Sequence, residues 1–156
     1  MFYQPELDLT PEEILLYLRK SRTDDPTLDV AEILSRHETI LDDYAERTWG
    51  RKIPQPNKRR EVVSGETIDS RPELLDILKM IESPKIKAVL LVEVQRLGRP
   101  DLEDIGRLSK LFRFTNTLII TPQRTFDLRD EWDREAFERE MMRSNNYLNF
   151  VKKVLK

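Results

Sequence analysis

Residues 86–94 read IKAVLLVEV, and their setting decides the fold. The run is almost continuously apolar, as a strand covered on both faces of a sheet must be. Pro84 precedes it and Pro100 follows, and each marks the limit of a helical pattern. Upstream, Arg71-Pro72-Glu73 puts proline where a first helical turn accepts it, with Leu74, Leu75, Leu78 and Ile81 as the buried stripe behind. Downstream, Pro100-Asp101 opens a helix that carries Leu102, Ile105, Leu108 and Leu111 at helical spacing.

The same alternation continues outward in both directions. Residues 14–18 (ILLYL) form a second apolar run, and Val30, Ile33, Leu34, His37, Leu41 and Tyr44 then follow one helical face. Pro54 and Pro56 break the chain into a loop before a shorter strand over 59–64 (RREVVS), and 117–121 (TLIIT) reads as a fourth. Strand and helix in turn predict a three-layer α/β domain, its central sheet mostly parallel and flanked by helices. From about Asp130 to Lys156 no Gly or Pro intervenes, and Phe137, Met141, Leu148, Val151 and Leu155 share one face. That predicts a helix of about 37 Å at 1.5 Å per residue, longer than a domain of this size needs. Its outer turns are expected to meet another chain and to run on into a longer helix. The expected division is a body over 1–130 and the start of an interface helix over 131–156.

Composition narrows the classes. A chain of 156 residues closes one sizeable core, and the absence of cysteine excludes a disulfide scaffold, a zinc ribbon and thiol catalysis. A cytoplasmic setting is the default, with no membrane partner, because the longest apolar runs fall far short of the roughly 20 residues that cross a bilayer. No basic-then-apolar leader opens the sequence. The net charge of −2 hides an asymmetry. Residues 47–60 hold Arg47, Arg51, Lys52, Lys58, Arg59 and Arg60 without an acid, whereas Glu6, Asp8, Glu12 and Glu13 crowd the beginning. The basic run reads either as a solvated loop or as a local anion-binding face.

Ligands of an open parallel sheet sit beyond the carboxyl ends of its strands. Those ends carry Arg19 and Ser21, then Ser64 and Gly65, then Arg96 and Arg99, and Arg71 joins the same rim at the start of its helix. One hydroxyl and four guanidinium groups would converge there. A guanidinium is always cationic and its planar fork matches phosphate oxygens in pairs, so such a set suits a phosphodiester and the charge that builds up in its transfer. Ser21 could then act as nucleophile and store the bond as a phosphoserine. Each feature has a plainer reading: a serine after a strand is usually a cap, Arg96 and Arg99 could be solvated, and His37 fits a satisfied core position. Trp49 and Trp132 read as packing residues.

The ordered set is more specific than its members. Tyr17-Leu18-Arg19-Lys20-Ser21 resembles the Tyr-x-Arg-x-Ser opening of the serine recombinases, the resolvase/invertase family. Ser64-Gly65 followed by Arg71-Pro72-Glu73 resembles that family's Ser-Gly and Arg-Pro block. Arg96-Leu97-Gly98-Arg99 is similar to its Arg-Leu-x-Arg signature, and Phe137-Glu138-Arg139-Glu140-Met141 to the start of its long oligomerisation helix. The resemblance spans about residues 14–145. It implies a DNA recombinase in which Ser21 attacks the backbone to leave a 5′-phosphoserine, while Arg19, Arg71, Arg96 and Arg99 hold the scissile phosphate. It further implies that Tyr17 supports the pocket, that Glu138 and Arg139 couple the long helix to it, that copies assemble as dimers and then tetramers, and that neither metal nor nucleotide is needed. The loop at 49–58 resembles the large branch of phage integrases and mobile-element transposases. On that reading the DNA-reading domains lie beyond these residues, and DNA binding by this part alone is weak and salt-sensitive.

Three positions depart from the family pattern. Gln95 stands where many members carry Asp, Glu61 replaces an Asp ahead of Ser-Gly, and His37 lies near a place often held by Gln. Two rival readings remain: a non-catalytic assembly module, and a small-molecule phosphohydrolase, which would lack the usual glycine-rich phosphate loop after its first strand.

Overall fold

The computed structural model describes residues 4–20, 27–62 and 68–154. Five strands form one sheet: β1 (Ile14–Arg19), β2 (Lys58–Glu61), β3 (Ala88–Leu90), β4 (Leu118–Ile120) and β5 (Thr125–Phe126). Their spatial order is β2-β1-β3-β4-β5, parallel throughout except for the last pair. The helices are α1 (Val30–Trp49), α2 (Pro72–Met80), α3 (Leu102–Phe114) and α4 (Glu131–Val154). No helix among the described residues is long and apolar enough to cross a membrane.

Strand alternation builds the three layers. Ile14, Leu16 and Leu18 face α1, where Leu34, Leu41 and Ala45 complete one core. Leu15 and Tyr17 face the other way, into a larger core shared with α2, α3 and α4 through Leu74, Ile77, Leu108, Phe112, Phe137 and Met141. The helix ends are set locally. Asp29 accepts the Glu32 backbone N–H at 2.7 Å, Asp101 accepts that of Asp104 at 2.9 Å, and Gly50 ends α1 with φ +80°, a conformation that favours glycine.

Two expectations are corrected here. Within 86–94 only Ala88–Leu90 pair as strand, although the Leu91 N–H still donates to the Ile120 carbonyl. Val94–Arg96 then coil into a 3-10 turn whose Val94 is buried beneath α4. Burial, not strand pairing, accounts for the apolarity of that end. Strand β5 went unread because two residues between Pro122 and Asp127 carry no periodic signal. Trp132 is 78% exposed and packs little, whereas the Trp49 indole N–H donates to the Glu6 carbonyl at 2.8 Å and meets Tyr44 edge-on.

Most of the basic run is paired with acids brought in from elsewhere in the fold. Arg51 pairs with Glu12, Arg59 with Asp76 and Arg60 with Glu38. Lys58, its side chain only 3% exposed, bridges Glu38 at 2.7 Å and Asp42 at 3.0 Å and so straps β2 to α1. Burial alone would pull the Lys58 amine down, but its two carboxylate partners outweigh that and hold it above the usual lysine range. Burial likewise pushes Glu38 up, yet Lys58 and Arg60 bring it below the usual glutamate value.

The strap therefore stabilises the fold between two limits. Glu38 contributes above its ordinary value of 4.5 and loses its effect as the pH falls through its lowered folded value. Lys58 contributes below the ordinary lysine value of 10.5 and loses its effect as the pH rises through its raised one. Lys58→Ala is expected to cost about 2 kcal/mol at neutral pH, less than a fully buried pair because the carboxylates stay partly hydrated. Urea unfolding of both proteins at pH 7 and pH 3 checks this, and the difference should shrink in acid.

Candidate active site

Arg19 ends β1, directly opposite Glu61 of β2 in the sheet register. Its guanidinium is pinned to main-chain oxygens: Nε donates to the Arg96 carbonyl at 3.0 Å, Nη1 to Lys20 at 2.9 Å and Nη2 to Gln95 at 3.3 Å. Arg96 answers in kind. Its Nη1 donates to the Arg19 carbonyl at 3.1 Å, and its Nη2 pairs with Glu93 at 2.6 Å. Arg71, the residue just ahead of α2, brings Nη1 to within 3.4 Å of the same Arg96 carbonyl. Three of the four expected arginines thus meet on one turn, at 9%, 2% and 4% exposure for Arg19, Arg71 and Arg96.

Glu61 and Tyr17 set Arg71 in place. The Arg71 side chain does not cap that helix; the Glu61 carboxylate does so from β2 instead, accepting the N–H of Leu74 at 3.0 Å and of Glu73 at 3.3 Å. A negative charge at a helix N-terminus is favourable twice over, through the hydrogen bonds and through the helix dipole. The Tyr17 hydroxyl donates to the same carboxylate at 3.2 Å. Burial, then the Glu61 charge, push the Tyr17 phenol far above its ordinary value, so it stays protonated and serves as a donor. Glu61→Ala is expected to cost about 3 kcal/mol, because a buried phenol and two helix N–H groups lose their acceptor together. Thermal unfolding measures it, and Tyr17→Phe should cost only about 1 kcal/mol because the two backbone donors remain.

Arg99 stands apart from the other three. Its backbone N–H donates to Asp104 at 2.8 Å, and its Nε lies 3.2 Å from Asp101 and 3.6 Å from Asp104 at the start of α3. The guanidinium is about one-third exposed, at 35%. Gly98, between the two arginine ends of the motif, permits this approach, since a Cβ there would meet Leu108 Cδ1 at 3.1 Å and Asp104 Oδ2 at 3.3 Å.

The remaining expected residues are distributed as follows. Ser21, Ser64 and Gly65 lie outside the described residues. His37 is half-buried on α1, the helix that covers the sheet face opposite Tyr17 and α2. Glu138 accepts a long hydrogen bond, 3.5 Å, from Ser109 of α3, and Arg139 is exposed. The contact that joins α4 to the arginine-bearing turn comes from Gln95, whose Nε2 donates to the Glu140 carbonyl at 2.9 Å. Glu93, Asp101 and Asp104 were not foreseen as partners of the arginines, although acids at short spacing around Arg96 and Arg99 could have signalled them. Among the described residues no group of His, Cys, Asp or Glu is arranged to hold a metal ion.

A family model, the N-terminal domain of resolvases, matches residues 14–145. The chain belongs to the resolvase family. The matched span holds β1, the arginine-bearing turn and α4 as far as Met141 and beyond. Among solved structures, the resolvase-family chain is similar to the N-terminal catalytic domain of TP901-1 integrase, with a TM-score of 0.61 at 16% identity over 89% of this chain and 98% of that one. It is also similar to the C-terminal catalytic domain of ISC1926 TnpA, an IS607-like serine recombinase, with a TM-score of 0.53 at 24% identity over 70% of this chain and 66% of that one. At such identities the likeness is one of fold: a resolvase-like α/β domain with a mostly parallel sheet.

Proposed function

We propose that this resolvase-family chain is the catalytic domain of a serine site-specific DNA recombinase, of the branch that includes phage integrases and mobile-element transposases. Residues 1–130 form the catalytic body, and 131–156 begin the helix through which copies pair and then assemble as tetramers. The Ser21 oxygen attacks a backbone phosphorus. A Ser21 O–P bond forms, the bond from phosphorus to the 3′-oxygen breaks, the serine proton leaves and the departing oxygen takes up a proton. The reverse reaction with a new 3′-hydroxyl rejoins the strand after exchange, so the bond energy is conserved in the phosphoserine.

The observation that carries this reading is the reciprocal clasp of Arg96 with Arg19, which stands two residues ahead of Ser21 in the chain, with Arg71 also on the Arg96 carbonyl. Guanidiniums fixed in advance on main-chain oxygens need not reorganise when negative charge builds on a phosphoryl group, which is what makes preorganised cations effective. Arg99, more exposed and held at the start of α3, suits contact with the incoming phosphodiester.

The test mixes the intact protein with duplex DNA bearing its recombination site and quenches in denaturant. The expected result is a denaturant-stable adduct with phosphate on Ser21 by peptide mass spectrometry and 3′ ends that a polymerase can extend. Absence of any adduct, or turnover of a soluble phosphate ester without DNA, would overturn the proposal.

A further inference from the structure

We propose that Gln95 is the positioning residue through which α4 sets the placement of the arginine cluster, a role that rests on the recombinase reading above. Four observations carry it. The Gln95 side chain donates to the Glu140 carbonyl at 2.9 Å, in the body of α4. Its own carbonyl accepts from Arg19, and the next carbonyl, that of Arg96, accepts from both Arg19 and Arg71. Val94 and Leu97, on either side, are buried in the same core as Phe137 and Met141 of α4. The Gln95 Oε1 is buried with no hydrogen-bond partner among the described residues.

These contacts make one mechanical chain. A carbonyl inside a helix keeps a second lone pair after accepting its helical N–H, and the Gln95 amide uses it. A slide of α4 by one helical turn, about 5.4 Å, would carry that oxygen out of hydrogen-bond range. The turn would then be released, and with it the two carbonyls on which Arg19 and Arg71 are hung. The chemistry of the position is specific. An amide can donate to a carbonyl, whereas an ionised carboxylate in its place would repel it. A side chain retained only for packing would be apolar here, since the amide leaves a buried oxygen unmatched. The helix that grips a second copy of the chain and the cations that grip phosphate are thereby joined by one side chain.

Two variants of the intact protein separate this role from simple packing. Gln95→Met keeps the volume and removes the donor. It is expected to melt within a few degrees of the parent and to bind DNA as well, but to form the covalent adduct about 10- to 100-fold more slowly at saturating DNA. Its guanidinium Nε–H signals in 15N NMR should move for Arg19 and Arg71 and stay fixed for Arg51, which pairs with Glu12 and not with the arginine-bearing turn. Gln95→Glu donates only when protonated, so its adduct rate relative to the parent should climb as the pH is lowered from 8 to about 5.5, a limb absent from the parent profile. An adduct rate equal to the parent for Gln95→Met, with unmoved Arg19 and Arg71 signals, overturns the proposal. So does a Gln95→Glu profile parallel to the parent at every pH. If the parent itself forms no adduct, the recombinase reading fails instead, and the NMR shifts alone report whether α4 and the arginines are linked.

Discussion

Ser21→Ala in the intact protein is expected to abolish covalent attachment to DNA and all recombination, while non-covalent retention of DNA persists. Only the hydroxyl oxygen at that position can form the serine–phosphorus bond, so the adduct should fall below detection rather than merely slow. The arginines lie elsewhere in the chain and keep their carbonyl anchors, so phosphate binding should survive. Denaturing gels read the adduct, and filter retention at low salt reads the binding. An adduct that persists in the alanine variant assigns the attack to another residue. Loss of DNA retention together with the adduct would instead mean that the site had not formed.

Arg96→Ala should have the next largest effect, and it should strike twice. The side chain holds the Arg19 carbonyl and pairs with Glu93, both from a buried position. Its removal leaves a cavity and takes a donor from the Arg19 carbonyl, for a loss of about 2–4 kcal/mol. Adduct formation should drop about 10²- to 10³-fold beyond any loss of folded protein, the usual effect of removing one preorganised donor from charge building in a transition state. Arg96→Lys should restore little, because an ammonium cannot reach both partners as a planar fork does. Arg99→Ala offers the contrast. With its guanidinium one-third exposed, the stability change should stay within about 0.5 kcal/mol while the adduct rate still falls. Equal stability losses in the two variants would show that the buried clasp is not what separates them.

What the sequence reveals of this molecule follows the range of the forces involved. The β1 run and the helical stripes are local, and they were legible because a central strand covered on both faces is apolar throughout and a helix covering it is apolar along one stripe. The order of the arginines along the chain was legible as well. Their anchors were not, because main-chain carbonyls at Lys20, Gln95 and Arg96 have no signature in residue identity. Glu61 stood out only as a departure from a motif, yet its carboxylate caps a helix that begins eleven residues later. The basic run looked free of acids for the same reason: its partners Glu12, Glu38, Asp42 and Asp76 are distant in sequence and close in space. The short strand β5 and the buried turn at Val94–Arg96 depend on tertiary cover that no window of residues contains.

The two margins of the sheet bear on whether copies of the domain can stack edge to edge. On one side stands β2, three of whose four residues are Lys58, Arg59 and Arg60; on the other, β5 is only two residues long. A border of side chains already tied up in ion pairs is a poor apolar template for a neighbour, and a border so brief offers almost no ladder to extend. Fibril-like stacking through the sheet is thereby disfavoured.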